Sequence, residues 1–192
     1  MSVEMTWGLE ATATIDDAMA AHAPAMDEQA FEEFYARTAS PLRAYLAHLS
    51  GSVTQAEELA QETWFRFLRS RLPEPDHDGR KAYLYRIGTN LLRDAQRSAR
   101  RWGITSNQAV LDHLTAQSRH GEQVQLRTDV QRSLAQLKPL QREVLWLAYV
   151  EGSSHKEISM IVGVREPSVR TVLFRARARM AQVLRSEGLV SS

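Results

Sequence analysis

Residues 154–174 read SHKEISMIVGVREPSVRTVLF. Ser154 and Glu157 stand at capping-box spacing, a hydroxyl N-cap with a glutamate at the third helical position, so a helix begins here. Ile158, Ile161 and Val162 give that helix an apolar stripe, and Gly163 stops it. A second helix is expected from about Glu166-Pro167, burying Val169, Val172, Leu173, Ala176, Met180 and Leu184. Small Ser159, four residues before Gly163, lets the two helices cross closely, and the glycine makes the tight turn between them. Together these form a helix-turn-helix pattern. An αα-hairpin with no nucleic-acid role has the same hydrophobic pattern. The bases Arg165, Arg170, Arg175, Arg177 and Arg179 on and after the second helix weigh against it.

Working back from this stretch, Leu140, Val144, Leu147 and Ala148 mark a helix between Lys138-Pro139 and Gly152, preceded by Val130, Leu134 and Leu137. The unit therefore starts near Gln123 and runs to about residue 187. Residues 103–122 are polar and weakly periodic and read as a flexible linker.

The first half repeats the helical periodicity without alternating strand patterns, so the expected class is all-α. Phe31, Phe34, Tyr35, Leu42, Tyr45, Leu46 and Leu49 suggest two helices, the second starting at Ser40-Pro41. Thr54 and Glu57 have capping-box spacing. The helix that follows carries an inward stripe of Ala56, Leu59, Ala60, Thr63, Trp64, Phe67 and Leu68. A second stripe, Glu58, Gln61, Glu62 and Phe65, sets one phenylalanine on a polar face. That placement suggests a partner surface, with a wide apolar face burying Phe65 as the alternative. Leu72–Arg80 reads as a loop. Its Asp76-His77-Asp78 is no metal site, because no second cluster completes a coordination shell.

From about Lys81 to Trp102 a helix places Leu84, Ile87, Gly88, Leu91 and Ala95 on one side. Arg86, Asn90, Arg93, Arg97 and Arg100 recur along another as a basic stripe of four turns, with Tyr83, Tyr85 and Trp102 at its ends. Bases that track phosphates beside aromatics that stack on bases suit single-stranded nucleic acid. A membrane-surface helix ranks lower, since the stripe follows directly on a packed helical unit.

Composition narrows the classes. The 192 residues contain no cysteine, which excludes disulfide scaffolds, thiolate metal sites and cysteine nucleophiles. No stretch approaches the apolar length of a membrane span, and residues 1–26 lack the pattern of a secretory leader, so a cytoplasmic protein without membrane insertion is expected. The net charge of +1 conceals an asymmetry. Residues 1–36 hold eight acids and no base, leaving +9 on the remainder. Residues 80–101 have seven bases against one acid and residues 165–185 six against one, so a long polyanion touching two places is indicated. The acidic residues 1–26 read as a poorly ordered solvating tail, with fold-back onto a basic block as the alternative. No Walker loop, HExxH or GxSxG is present, and no cofactor or enzymatic activity is expected.

Four segments now share one resemblance. Ala56–Trp64 (AEELAQETW) is similar to the polymerase-binding segment in region 2 of the extracytoplasmic-function (group four) sigma factors, members of the sigma-70 family of bacterial RNA polymerase. Ala82–Asp94 (AYLYRIGTNLLRD), with the arginine-rich end after it, resembles the family's promoter-melting and −10-recognition helix. Leu137–Leu145 with Val150–Gly152, and Arg175–Arg179, resemble region 4. The match covers about residues 27–185 in the right order.

The resemblance implies a non-enzymatic initiation factor. Region 2 would span 27–102 and region 4 would span 123–187, joined by the linker 103–122. Glu58, Gln61, Glu62 and Phe65 would bind the clamp helices of the polymerase largest subunit, which gives the Phe65 stripe a reason. Tyr83, Arg86, Asn90, Asp94, Arg97, Arg100 and Arg101 would engage and open the −10 element. Ser154, Lys156, Arg165, Ser168, Arg170, Thr171, Arg175, Arg177 and Arg179 would serve the −35 element, with Ser168, Arg170 and Thr171 nearest the bases. The implied partners are core RNA polymerase, through clamp helices and flap, promoter DNA and an anti-sigma protein. The competing class is a stand-alone helix-turn-helix regulator, which would need a dimerisation element that the sequence does not display.

Overall fold

The computed structural model describes residues 27–70, 77–101 and 133–188. Among them every regular element is helical. α1 (Glu28–Ser50), α2 (Val53–Arg69) and α3 (His77–Arg101) pack mutually as one unit, and α4 (Pro139–Tyr149), α5 (His155–Val162) and α6 (Glu166–Ser186) as another. The linker, the acidic residues 1–26, residues 71–76 and Trp102 lie outside the described residues.

α1 is one helix, not two. Asp27 caps it by accepting the Ala30 N–H at 2.7 Å, and Pro41 sits inside it. Proline in a helix interior removes a hydrogen bond and costs about 3 kcal/mol. The helix continues because Phe34, Thr38, Leu42, Tyr45, Leu46 and Leu49 form one buried face across the proline, and breaking there would divide the core. At the start of α2 the N-cap is Ser52, whose side chain accepts from Gln55 N at 3.2 Å, and Thr54 is an exposed first-turn residue. α3 also begins earlier than the sequence suggests, at His77, so its first turn takes up part of the expected loop.

The first core centres on an aromatic cluster. Trp64 meets Phe31 and Phe34 edge-on at 6.0 and 5.9 Å, and Phe34 stacks on Phe67 at 5.5 Å. Such pairs add about 0.5–1.5 kcal/mol each beyond the area they bury. α3 approaches α1 and α2 closely at Gly88, where a Cβ would stand 3.3 Å from Thr63 Oγ1 and 3.5 Å from Leu42 and Leu46. The buried polar groups there are satisfied: Tyr45 Oη and Thr89 Oγ1 bond at 2.9 Å, while Thr63 and Thr89 donate to the carbonyls of Leu59 and Tyr85.

The second unit follows the expected course. Ser154 and Glu157 form the capping box, and Gly163 ends α5 in the left-handed region with φ 73°. Ile158, Ile161 and Val162 of α5 pack with Val144 and Leu147 of α4 and with Val169, Leu173 and Ala176 of α6. Further along α6 the buried residue is Val183 rather than Leu184, and Val172 and Met180 are only partly buried. Ser133 and Gln136 donate to the Glu187 carboxylate, tying the residues before α4 to the end of α6.

The two units also touch. α3 lies against α5, and α1 reaches α4, so the buried apolar residues of both form one contiguous cluster.

Candidate nucleic-acid interface

On α3, Arg86, Asn90, Asp94, Arg97, Arg100 and Arg101 are exposed, and Asp94 is ion-paired with Arg97. Tyr83 is partly buried, its ring 6.3 Å from that of Phe67. Two expectations for this helix change. Tyr85 is not a stacking platform: it is 0% exposed and donates its hydroxyl to Glu151 at 2.7 Å. Arg93 does not continue the free stripe, because its guanidinium is turned onto the second unit.

α6 turns a broad arc to solvent. At 100° per residue Arg170, Phe174, Thr171 and Arg175 fall across its middle, with Arg177 and Arg179 at opposite edges. Arg165 is the N-cap residue and makes no side-chain cap bond, leaving its charge exposed at the helix start. Ser168 is partly buried. Arg177 Nη1 donates to Tyr149 Oη at 3.4 Å, and Arg179 Nη1 to Gln182 at 2.9 Å. Ser154 commits its hydroxyl and its N–H to Glu157, which leaves Lys156 as the free group at the start of α5. Phe174, 66% exposed between Arg170 and Arg175, was missed by sequence reasoning. The signal available was its position three and four residues from Thr171 and Arg170 on the polar side of the helix.

α2 presents a different surface. Glu58 and Gln61 are exposed, Glu62 pairs with Arg66 at 2.7 Å, and Phe65 is 53% exposed. Phe65 is therefore not buried in a wide apolar face. The Arg69 guanidinium stands 5.1 Å over the Phe65 ring, and Leu68 one turn on is exposed too.

Sequence reasoning also missed the joint between the units. Glu143 of α4 is 2% exposed and takes Arg93 through both carboxylate oxygens, at 3.2 Å from Nε and 2.5 Å from Nη2. Arg93 Nη1 donates to the Val162 carbonyl at 3.1 Å. Burial alone would lower the Arg93 pKa, but the hydrogen bond and charge of Glu143 carry it above the ordinary value. Glu151 accepts from Tyr85, from Lys81 at 3.3 Å and from Trp146 Nε1 at 3.3 Å. Burial, and then the Glu151 charge, push the Tyr85 phenol up. His48 stacks on Trp146 with ring centroids 4.3 Å apart. The identity of single acids in a helical repeat carries no sequence mark of an inter-unit partner, so only the packed arrangement reveals these contacts.

Two family models match the chain, Sigma-70 region 2 over residues 34–102 and Sigma-70, region 4 over residues 127–180. The first takes in most of α1 with α2 and α3, and the second takes in α4, α5 and most of α6. The chain belongs to the sigma-70 family, among its extracytoplasmic-function factors. Among similar proteins, the extracytoplasmic-function RNA polymerase sigma factor SigE of Mycolicibacterium smegmatis is 32% identical over 140 residues. That alignment takes in 71% of this chain but only 54% of SigE, so the chain spans about half of that relative's length. Sigma factor CarQ of Myxococcus xanthus is 27% identical over 82% of this chain and 90% of its own. SigM of Bacillus subtilis is 26% identical over 78% and 91%. The fold is shared with the sigma factor RpoE of Bartonella quintana, solved with the anti-sigma factor NepR, at a TM-score of 0.61, 22% identity and coverage of 81% and 96%. It is shared equally with CnrH, solved with the cytosolic domain of CnrY, at 0.62, 22%, 89% and 97%.

Proposed function

We propose that this sigma factor joins core RNA polymerase through α2 and reads promoter DNA with α3 and α6, working in the cytoplasm as a non-enzymatic initiation subunit. The observation that carries the reading is the division of the surface. One exposed phenylalanine among Glu58, Gln61 and Glu62 faces solvent on α2, while arginines face solvent on α3 and α6. An aromatic anchor ringed by polar groups suits a protein partner, and arginine arcs suit phosphates.

Residues 27–102 form region 2, with Glu58, Gln61, Glu62 and Phe65 on the clamp helices of the polymerase. Arg86, Asn90, Arg97, Arg100 and Arg101 hold the opened −10 strand, Asp94 orients Arg97, and Tyr83 borders the site. Opening DNA costs roughly 1.4 kcal/mol per base-pair step. With Tyr85 buried, a stacking return of about 1–3 kcal/mol on the described part of α3 is limited to a base at Tyr83, so phosphate contacts, with polymerase holding the duplex, carry most of the offset. Residues 123–187 form region 4, tethered by residues 103–122 and contacting the polymerase flap. Ser168, Arg170, Thr171 and Phe174 face the major groove of the −35 element, with Phe174 suited to a thymine methyl. Lys156, Arg165, Arg175, Arg177 and Arg179 hold flanking phosphates. An anti-sigma protein covering the polymerase-binding surfaces completes the set of partners.

The test is equilibrium binding of fluorescent protein to core polymerase. Phe65→Ala and Glu58→Ala should weaken it, while Arg170→Ala should leave it unchanged and impair promoter binding by the holoenzyme. A stand-alone regulator would bind DNA specifically without core and would be indifferent to Phe65→Ala.

A further inference from the structure

Region 4 is strongly basic on α6, yet it turns two acids, Glu143 and Glu151, onto α3 of region 2. Those acids engage Arg93, Lys81 and Tyr85 of the helix assigned to the −10 element. Arg93 is the odd member of its row. It stands in register with Arg86, Asn90, Arg97 and Arg100, which are all exposed, but its own guanidinium is occupied. The group occupying it is a carboxylate held by two N–H bonds, the planar forked geometry by which arginine also takes phosphate.

We propose that Arg93 is a further DNA-contacting residue, held away from DNA by Glu143 while regions 2 and 4 are closed on each other, and that promoter DNA opens the clasp by taking Arg93 from the carboxylate. The proposal rests on α3 being the −10 helix. A buried carboxylate and the half-buried guanidinium it holds part readily only if each finds another partner. Separation gives Glu143 water, and a backbone phosphate gives Arg93 its anion. Glu151 adds a second hold, through Lys81 and Tyr85. The 31 residues joining Arg101 to Ser133 are long enough for the units to part, since an extended chain covers roughly 3.3 Å per residue. In the closed molecule α3 lies against α5, and the Arg93 guanidinium reaches the Val162 carbonyl of α5.

The natural chain has no cysteine, so Arg43→Cys and Ala181→Cys, both at exposed positions, accept a pair of spin labels without background. The full-length protein should give one narrow inter-label distance, set by the closed arrangement. Glu143→Gln should shift the closed-to-open ratio towards a broad distribution by about tenfold or more, and should tighten binding of a fluorescent random-sequence single-stranded DNA by a similar factor. Arg93→Gln with Glu143→Gln should be equally open, but its salt dependence of binding should be shallower by about 0.7 in log–log slope, one phosphate contact fewer. The charge-swapped pair Arg93→Glu with Glu143→Arg should restore the narrow distance and bind the DNA weakly, which keeps the test alive if Glu143→Gln loses helicity. A closed Glu143→Gln protein overturns the clasp. Equal affinity and slope for Glu143→Gln with and without Arg93→Gln overturns the DNA contact. If no variant binds DNA, alone or with core polymerase, the assignment of α3 itself fails, and the distance data then report a clasp without that role.

Discussion

Acidification should separate the two regions, and His48 sets the size of the effect. Its ring stacks on Trp146 across the joint, with planes 25° apart. Burial, and after it the charge of Arg142, pulls its pKa from 6.5 to about 4. Nε2 is buried without a hydrogen-bond partner, so a proton placed there meets no acceptor in the closed molecule. The groups facing this corner offer no relief: Arg142 and, beyond it, Arg100 are cationic, and Glu143 is bound to Arg93. Once the regions part, His48 returns to water and to its ordinary value. The open form then holds more protons between pH 4 and 6.5, so the closed form loses stability as pH falls through that window. The complete difference is worth about 3 kcal/mol, of which about 2 is reached by roughly pH 5, near thirtyfold in the closed-to-open ratio, and almost none remains above about pH 7.5. Inter-label distances from the same pair of positions, recorded from about pH 7.5 down to about pH 5, measure it directly. His48→Phe keeps an aromatic stack on Trp146 and cannot titrate, so its profile should be flat over the upper part of this range. A wild-type ratio that does not move, or a His48→Phe protein that opens as the wild type does, refutes the reasoning.

Three other perturbations have defined outcomes. Phe65→Ala removes a side chain that is half exposed, so thermal unfolding should change by no more than about 0.5 kcal/mol, while affinity for core polymerase should fall roughly thirtyfold if Phe65 is an interface anchor. Gly163→Ala meets no atom within 4 Å but must hold φ near 73°, so it should cost about 1–2 kcal/mol in denaturant unfolding by backbone strain alone. In holoenzyme binding to duplex promoters, Arg179→Ala should weaken all sequences alike and lower the salt slope by about 0.9, whereas Arg170→Ala should cost about 1–3 kcal/mol and relax preference within the −35 element.

What the sequence disclosed depended on whether local chemistry or tertiary packing decided each feature. Ser154 with Glu157, and Gly163 with its left-handed turn, act within a few residues, and the helix-turn-helix was legible from them. The Phe65 stripe was visible as a period, but its exposure was settled only when α1 and α3 were seen to pack on the opposite side of α2. Pro41 misled because propensity was overridden by a buried face running from Phe34 to Leu49. Arg93 looked free because hydrophobic periodicity records burial against the helix's own unit and is silent about a second unit docking on a polar face, while Tyr85 is covered from both sides, its ring 5.3 Å from that of Tyr45 and its hydroxyl on Glu151. Glu143 and Glu151 carried no mark for the same reason: a charged residue, within a helix as at Glu143 or just past one as at Glu151, is normally a solvated one.

The most direct measurement is run-off transcription from genomic DNA with purified core polymerase, with and without the protein. Discrete new transcripts whose start sites share paired upstream elements are expected, and they should be lost with Phe65→Ala at limiting protein. Sequence-specific DNA binding without core, and no new transcript when core is present, would contradict the proposed function.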